Sequence, residues 1–173
     1  MKGLTPSAAG ISRMPSDKYF PLAQLSGRIA REKEMGKTIV LANGGFDLLH
    51  VGHIRYLQQA KAIGDILVVA LNSDASLKKL KGAGRALIDE AGRVRIISAL
   101  ACVDYVTLFS EGTVGRVLLA LKPHYHCKGS DYTLASIPER DIVLGYGGQM
   151  AIVGGDKVRS TSLLIRKIKD LYG

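Results

Sequence analysis

Two histidines three residues apart follow a glycine-bearing turn in the segment Asn-Gly-Gly-Phe-Asp-Leu-Leu-His-Val-Gly-His at 43–53. An apolar, β-branched run at 38–42 precedes the turn, and helical apolar spacing follows it at 49–62. His50 and His53 are therefore expected one turn apart, on one face, at the start of a helix. There the free backbone N–H groups and the positive end of the helix dipole attract an anion, and two imidazoles add hydrogen-bond donors. The spacing predicts a site for the phosphates of a nucleotide.

The glycine turn has an ordinary interpretation as well, because glycines flanked by Asn and Asp are common in turns. We favour the interpretation in which Gly44 and Gly45 expose backbone N–H groups to phosphate and Asp47 orients a neighbouring donor. Asn43 and Phe46 are assigned to the same nucleotide site. The segment lacks the Gly-Lys-Ser/Thr ending of a Walker loop and the spacing of a dinucleotide-binding fingerprint.

A basic, glycine-containing stretch at 78–85 is predicted to be a flexible loop. Such a run is most often a solvated surface loop. The functional alternative is a mobile clamp, in which Lys78 and Lys81 neutralise a triphosphate or an incoming phosphorylated substrate and the glycines allow closure. Arg85 belongs to the same candidate substrate site.

Two more polar segments follow predicted strands. Lys128, Gly129 and Asp131 could recognise the sugar or base of a nucleotide, although a plain turn explains them nearly as well. Ser160 and Thr161 open the last predicted helix, where their hydroxyls could cap the helix, contact a second phosphate, or do both.

Short apolar runs alternate with helical stretches along the chain, which is typical of strand-helix-strand units over a parallel sheet. We predict a single-domain, doubly wound, Rossmann-like α/β fold with a parallel sheet of about five strands. In such a sheet ligands bind outside the carboxyl ends of the strands, so the polar loops that follow them should converge on one rim. The predicted strands are 38–42, 65–71, 105–109, 125–127 and 149–153, the helices 25–35, 49–62, 93–101, 113–121 and 162–171, and the loops 43–47, 72–74, 128–131 and 154–162.

The net charge of +9, from 24 basic and 15 acidic residues, predicts a negatively charged partner. Phosphorylated small molecules fit that charge as well as nucleic acid does. The basic residues are spread along the chain and there is no Trp, which argues against nucleic acid. Cys102 and Cys127 are expected to be reduced core residues.

Residues 1–20 are rich in Ser, Gly, Pro and isolated charges and are predicted to be a flexible leader to a domain at 21–173. They contain no signal peptide or membrane segment, so the expected location is the cytoplasm and no membrane partner is expected.

The chemistry that the sequence lacks narrows the reaction class. No Ser, Cys or Lys pairs with a base in the manner of a covalent nucleophile, and no Cys/His cluster has zinc spacing, so no protein-held metal is expected. The candidate site residues can therefore position substrates and neutralise charge, and direct attack of one phosphate on another requires these two contributions.

These residues resemble the nucleotidyltransferase superfamily with the His-x-Gly-His signature, and more closely the D-glycero-β-D-manno-heptose 1-phosphate adenylyltransferases. The resemblance runs from about Lys37 to Ile168. The histidine signature defines only the superfamily, and its combination with the other motifs points to heptose. Those motifs are Val-x-x-Asn-Ser-Asp-Ala-Ser at 69–76, Leu-Lys-Gly at 80–82, Ala-Leu-Ala-Cys-Val-Asp at 99–104, Lys-Gly-x-Asp-Tyr at 128–132 and Ser-Thr at 160–161.

The resemblance implies transfer of AMP from ATP, with Mg²⁺, to a sugar 1-phosphate, giving ADP-heptose and pyrophosphate for lipopolysaccharide core assembly. It implies that His50, His53 and Lys81 are catalytic and that Arg93, like Lys78 and Arg85, contacts the substrate. In many relatives this domain is fused to a sugar kinase. This chain is too short to contain such a kinase, so the kinase is expected to be a separate protein here. A homodimer is a reasonable expectation.

The sequence departs from the family pattern at three positions: Gly45 replaces a commoner Val or Cys, Ala86 a usual Pro, and Gly92 a usual Glu. The loss of Glu at 92 removes an expected ion partner for Arg93. Three alternatives stay open: a cytidylyltransferase acting on glycerol 3-phosphate or a similar molecule, a nucleotide sensor without turnover, and a nucleic-acid-binding protein. The first is disfavoured because Val-Arg-Ser-Thr-Ser replaces the Arg-Thr-x-Gly-x-Ser-Thr typical of glycerol-phosphate cytidylyltransferases.

Overall fold

The computed structural model describes residues 17–82, 86–155 and 161–172, with only the backbone of Lys81 and Ser162. Five strands and seven helices lie in these ranges, and strands and helices alternate for most of the chain. The strands are β1 (Ile39–Gly44), β2 (Ile66–Asn72), β3 (Tyr105–Phe109), β4 (Tyr125–Gly129) and β5 (Gln149–Val153). The helices are α1 (Leu22–Glu34), α2 (Val51–Lys61), α3 (Asp74–Lys81), α4 (Glu90–Ser98), α5 (Gly115–Leu121), α6 (Arg140–Gly145) and α7 (Thr161–Tyr172), with a short 3₁₀ turn at Leu134–Ser136.

The strands form one parallel sheet in the order β3-β2-β1-β4-β5. The chain moves outward from β1 to β3, then returns to the other side of β1 for β4 and β5. This reversal of strand order creates a crevice at the carboxyl ends of β1 and β4, where open α/β sheets bind ligands. The predicted doubly wound, Rossmann-like fold is confirmed.

The central strands are buried on both faces, which explains their continuous apolar sequence. In β1, Val40 and Ala42 belong to one core cluster and Ile39 and Leu41 to the other. The first cluster includes Leu57 of α2 together with residues of α4, and the second includes residues of α1, α5 and α6. Helices therefore pack against both faces of β1 and position its carboxyl end at the crevice.

The five predicted strands and five predicted helices are all present, with ends that differ by a few residues. Two helices were missed. The prediction of a flexible loop from residue 78 is wrong for 78–81, because these residues form the end of α3. The other missed helix, α6, has six residues and only one that is fully buried, so it lacks a strong apolar period.

The last residues of the predicted leader are part of the fold. Lys18 accepts a hydrogen bond from Val106 N at 2.8 Å through its carbonyl oxygen, and Phe20 N donates to Val106 O at 3.0 Å. These bonds pair residues 18–20 with the outer edge of β3, which corrects the predicted boundary at residue 20. Residues 1–16 lie outside the described part of the chain.

Both cysteines are free thiols. Cys127 is fully buried in β4, where burial raises its thiol pKa to about 12, whereas Cys102 is half-buried. None of the helices in the described ranges is long and apolar enough to cross a lipid bilayer.

Candidate active site

A cleft of about 820 Å³ opens at the carboxyl ends of the strands. It brings together the loops that follow β1, β2, β4 and β5, as the sequence predicts, and also the loop after β3. Eleven of the predicted site residues line it: Asn43, Gly44, Gly45, Phe46, Asp47, His50, His53, Lys128, Gly129, Asp131 and Thr161.

The two histidines lie at the first turn of α2, which is where the sequence predicts them. His50 is the N-cap residue with extended backbone angles, and His53 N donates to its carbonyl oxygen at 2.9 Å. Their rings stack with centroids 3.8 Å apart and planes 16° from parallel. The ring of Phe46 lies 5.1 Å from that of His53. Two parallel imidazoles beside a helix N-terminus can donate to the oxygens of a single phosphate group.

The glycine turn leaves β1 in a conformation that restricts side chains. A Cβ on Gly45 would lie 2.6 Å from Cδ1 of Leu77, and Phe46 adopts the left-handed region at φ 46°. Leu77 thus occupies the space that a side chain at position 45 would need. The backbone of Gly44 and Gly45 lines the cleft, where its N–H groups can approach a ligand closely.

Asp47 connects this turn to the segment before α4. Its Oδ1 accepts a hydrogen bond from Ile88 N at 3.0 Å, and its predicted role in orienting a neighbouring donor at the phosphate site stays a prediction. Its Oδ2 is buried and receives no hydrogen bond from the residues that the structure describes.

Arg93 does not reach the cleft, which corrects its assignment as a substrate-binding residue. It is fully buried, and its Nη1 donates to the carbonyl oxygens of Gly45 at 2.7 Å and Asn72 at 2.8 Å. Its Nε donates to Ile88 O at 3.1 Å, and its Nη2 pairs with Asp74 at 2.7 Å. Asp74 is thus its ion partner, in place of the Glu expected at position 92. Arg93 ties together the ends of β1 and β2 and the starts of α3 and α4 from behind the site.

The basic segment also differs from its predicted arrangement. Lys78 is exposed on α3 and is not among the residues that line the cleft. Instead α3 presents Leu77 and Leu80 to the cleft. The side chain of Lys81 and the whole of Arg85 lie outside the described part of the structure, so their predicted roles stay predictions.

The end of β4 carries a buried polar network that reaches across to β1. Lys128 Nζ lies 3.1 Å from Asn43 Oδ1 and forms an ion pair of 3.0 Å with Glu139, which immediately precedes α6. His126 Nε2 lies 3.0 Å from the same Asn43 oxygen. Burial, helped by the nearby Lys128 charge, lowers the pKa of His126 to about 3, so its imidazole is neutral at pH 7. Lys128 lines the cleft but is less than one-tenth exposed and is already paired.

Two tyrosines line the cleft and contact the end of β4. Tyr132 lines the cleft with its ring centroid 5.3 Å from Lys128 Nζ. Tyr56 donates to Cys127 O at 2.8 Å, and burial raises the pKa of its hydroxyl above the ordinary value. The wall that includes Tyr132 and Asp131 is the one that the sequence assigned to the nucleoside.

The start of α7 contributes Thr161, whose Oγ1 donates to Leu48 O at 3.4 Å beside the histidine helix. Ser160 lies outside the described residues. Gly154, just after β5, donates to Gln59 of α2 at 2.6 Å, so the β5 end is also attached to that helix.

Sequence reasoning missed several cleft residues. Tyr56 lies three residues after His53 on the same helix, so helical spacing could have placed it near the site. Glu139 and Thr113 offered no such signal, because their approach to the cleft depends on contacts between distant segments. Within residues 17–82, 86–155 and 161–172, no group of three or more His, Cys, Asp or Glu side chains is arranged to hold a metal ion.

Comparison with known proteins agrees with this geometry. The model of the family described as Cytidylyltransferase-like matches residues 41–173, which include both histidines and every strand after the start of β1. The chain belongs to the cytidylyltransferase-like family. The resemblance read from the motifs is thereby confirmed, and the family supports nucleotidyltransferase activity.

Curated relatives of this cytidylyltransferase-like chain carry the name Bifunctional protein HldE. The one from Geobacter metallireducens is 50% identical over 165 residues, covering 95% of this chain and 34% of its own length. The one from Geobacter sulfurreducens is 48% identical over 156 residues, covering 90% of this chain and 32% of its own length. The chain therefore spans about a third of the curated relatives that it matches.

Two solved structures share the fold. The lipopolysaccharide core biosynthesis protein from Thermoplasma volcanium GSS1 is 32% identical with a TM-score of 0.59, covering 68% of this chain and 97% of that one. A pantoate-beta-alanine ligase from Francisella tularensis, complexed with β,γ-ATP and β-alanine, has the same TM-score at 14% identity. It covers 79% of this chain and 66% of its own, and at that identity the match shows only that the fold is shared.

Proposed function

We propose that this chain transfers AMP from ATP to D-glycero-β-D-manno-heptose 1-phosphate, forming ADP-heptose and pyrophosphate. The stacked pair of His50 and His53, 3.8 Å apart in a cleft at the start of α2, is the observation that carries the proposal. The HldE name of the relatives and the lipopolysaccharide title of the Thermoplasma protein support heptose as the sugar.

In this proposal an oxygen of the sugar phosphate attacks the α-phosphorus of ATP in line. The new phosphorus–oxygen bond forms as the bond to the bridging oxygen breaks, and pyrophosphate leaves with the bond electrons. No covalent enzyme intermediate is involved. His50, His53 and the backbone N–H groups of Gly44 and Gly45 donate to the phosphate oxygens on which charge accumulates.

The remaining roles follow the walls of the cleft. Thr161 and Ser160 would contact the β- and γ-phosphates, while Gly129 and Asp131 would contact the adenosine. Lys81 would hold the triphosphate or the acceptor phosphate.

Magnesium is expected to accompany ATP, and the chemistry of Asp47 fits it. The buried Oδ2 of Asp47 receives no hydrogen bond from described residues, and a carboxylate oxygen is a ligand that Mg²⁺ prefers. Because Mg²⁺ usually binds through one or two carboxylates, water and substrate phosphates, the lack of a larger acidic cluster in the described chain is compatible with it. When bound, the ion would neutralise phosphate charge, and Asp47 would supply one protein ligand for it, in contrast to the expectation from the sequence that no side chain holds a metal.

A pyrophosphate-release assay with ATP and heptose 1-phosphate tests the reaction. His53→Ala should lower turnover by about a hundredfold or more, because one charge-stabilising donor is commonly worth that much, while the melting temperature stays near that of the unchanged protein. His124→Ala is the matched control, since that imidazole lies just before β4, at the opposite end of the sheet from the cleft, and accepts from Ile39 N. Unchanged turnover in His53→Ala would exclude the proposed role of the histidine pair.

A thermal-shift panel separates the alternatives. We expect ATP with a heptose 1-phosphate to raise the melting temperature most, because a ligand that binds only the folded state stabilises it. A preference for CTP with glycerol 3-phosphate would favour the cytidylyltransferase, and binding without pyrophosphate release would favour a sensor. Steeply salt-dependent binding to DNA or RNA of any sequence would favour a nucleic-acid-binding protein.

A further inference from the structure

We infer that Lys128, Glu139 and His126 are positioning residues that hold the Asn43 side chain so that its Nδ2 group donates a hydrogen bond to a phosphate oxygen in the cleft. The inference rests on the proposed function in one respect, namely that the ligand of the cleft carries phosphates. It assigns to Lys128 a role different from direct binding of the nucleotide.

The argument begins with Lys128, because an ammonium group can only donate hydrogen bonds. The Asn43 atom that lies 3.1 Å from Lys128 Nζ must therefore be the oxygen of the amide. His126 Nε2 lies 3.0 Å from the same oxygen and must carry the proton of the imidazole. The low pKa of His126, about 3 because of burial, is consistent with this neutral form.

Because Lys128 and His126 both donate to Oδ1, the Nδ2 group at the other end of the amide is the group available to donate to a ligand. Asn43 lines the cleft, and both hydrogen bonds described for its side chain end on Oδ1. Asn43 is the penultimate residue of β1 and directly precedes the glycine turn. Its Nδ2 group is thus a donor at the same strand end as the backbone N–H groups assigned to phosphate.

Glu139 fixes the position of the lysine. Its ion pair with Lys128 is 3.0 Å long, with side-chain exposures of 6% and 8%, so two charges are kept out of water in this one place. A buried pair of this kind adds little net stability compared with an apolar pair, and here it keeps the lysine ammonium 3.1 Å from Asn43 Oδ1. Glu139 therefore acts on the ligand through Lys128 and then Asn43.

The decisive variant is Asn43→Asp. A carboxylate has nearly the same shape and accepts from Lys128 and His126 as the amide does, so the fold should keep its melting temperature. It replaces the donor in the cleft with an acceptor, so affinity for ATP and for inorganic tripolyphosphate should fall by about tenfold or more. Gln58→Glu, which adds the same negative charge at an exposed position on α2, is the control and should change affinity less than twofold.

The role of Glu139 is tested by coupling. Glu139→Gln alone should weaken ATP binding several-fold and leave the KM of the sugar phosphate within twofold. In an Asn43→Ala background the same change should have less than a twofold effect, because the group through which Glu139 acts is gone. Equal effects in both backgrounds would contradict the positioning role.

Isothermal titration of each variant gives the result without depending on turnover. If Asn43→Asp binds ATP and tripolyphosphate as tightly as the unchanged protein, the inference is wrong. It is equally wrong if the unchanged protein binds neither anion. If the unchanged protein binds them but releases no pyrophosphate with heptose 1-phosphate, the proposed function fails while the comparison of Asn43 variants still decides the role of Nδ2.

Discussion

Replacement of Arg93 by Met should destabilise the protein strongly, because the guanidinium is fully buried and every contact it makes is to the protein itself. Three donated hydrogen bonds end on backbone carbonyl oxygens, and the fourth contact is the ion pair with Asp74. Methionine keeps much of the volume of the side chain but none of these donors.

The loss in the free energy of unfolding depends on which hydrogen-bond partners of Arg93 can be solvated by water after the substitution. Asp74 is 28% exposed and can rehydrate, so the loss of its charge pair costs less than in a sealed core. The carbonyl oxygens of Gly45 and Asn72, bonded to Arg93 in buried surroundings, would lose a charged donor, and bonds of this type are worth about 1.5–3 kcal/mol each. We expect the free energy of unfolding to fall by about 3–5 kcal/mol, a large share of the roughly 5–15 kcal/mol of a typical domain.

Urea unfolding, followed by circular dichroism, measures this difference directly. Arg95→Met on the same helix is the matched control, because Arg95 is exposed and surface substitutions usually change stability by about 0.5 kcal/mol or less. A loss below about 1 kcal/mol in Arg93→Met, combined with a raised KM for the sugar phosphate, would refute the structural role. That outcome would instead restore the substrate-binding role implied by the family resemblance.

Two further predictions concern the turn after β1 and the network behind it. The pKa of His126 is about 3 in the folded protein against an ordinary 6.5, so the folded state binds fewer protons than the unfolded state between these values. The contribution of neutral His126 to the free energy of unfolding is complete above pH 6.5 and is lost as the pH falls, by up to about 2 kcal/mol at pH 5. Urea unfolding at pH 7 and pH 5 should therefore show a smaller drop in the free energy of unfolding for His126→Gln than for the unchanged protein. An equal drop in both would contradict the assignment. Gly45→Val should destabilise the protein by about 1–3 kcal/mol, because its Cβ would meet Leu77 at 2.6 Å. In thermal melts of the double variant, Leu77→Ala should recover most of that loss. Additive losses from the two substitutions would contradict the steric explanation.

The position of the glycine turn and the histidine pair, which the proposal assigns to phosphate, could be predicted from the sequence because these parts are local. The glycine turn, His50 and His53 lie within eleven residues, and strand and helix periodicity on either side fixes their relative positions. The convergence of distant loops was also predictable, since the carboxyl ends of parallel strands share one edge.

The missed helix α3 carried local signals that its basic composition obscured. Ser73 is its N-cap and accepts from Ser76 N, Asp74 lies in its first turn, and Gly82 follows its last residue. These are the usual start and stop residues of a helix. The lysines at 78, 79 and 81 led to the prediction of a loop, although Leu77 and Leu80 mark the helix face that meets the cleft.

The roles of Arg93 and Lys128 could not be predicted from the sequence. A basic residue near a phosphate site suggests a phosphate ligand, and nothing in residue type or spacing shows that its charge is already paired. Arg93 forms an ion pair with Asp74, nineteen positions away in the sequence, and Lys128 forms an ion pair with Glu139, on the other side of the 3₁₀ turn. Such pairs depend on how segments pack, which local patterns do not encode.

These pairings bear on how the cleft would attract phosphate under the proposed function. The net charge of +9 suggests binding by lysine and arginine, yet Lys128 is the one such residue among the described side chains that line the cleft, and it is paired with Glu139. Other groups that line the cleft in the described part are neutral or directional, and they include the backbone of Gly44 and Gly45, the first turn of α2, the imidazoles of His50 and His53, and the side chains of Asn43 and Thr161. Because hydrogen bonds from fixed donors depend on angle and distance, such a cleft would, under the proposed function, select a phosphate by its position. In the inference drawn above, the buried Lys128 would serve this selectivity by holding the Asn43 amide in place.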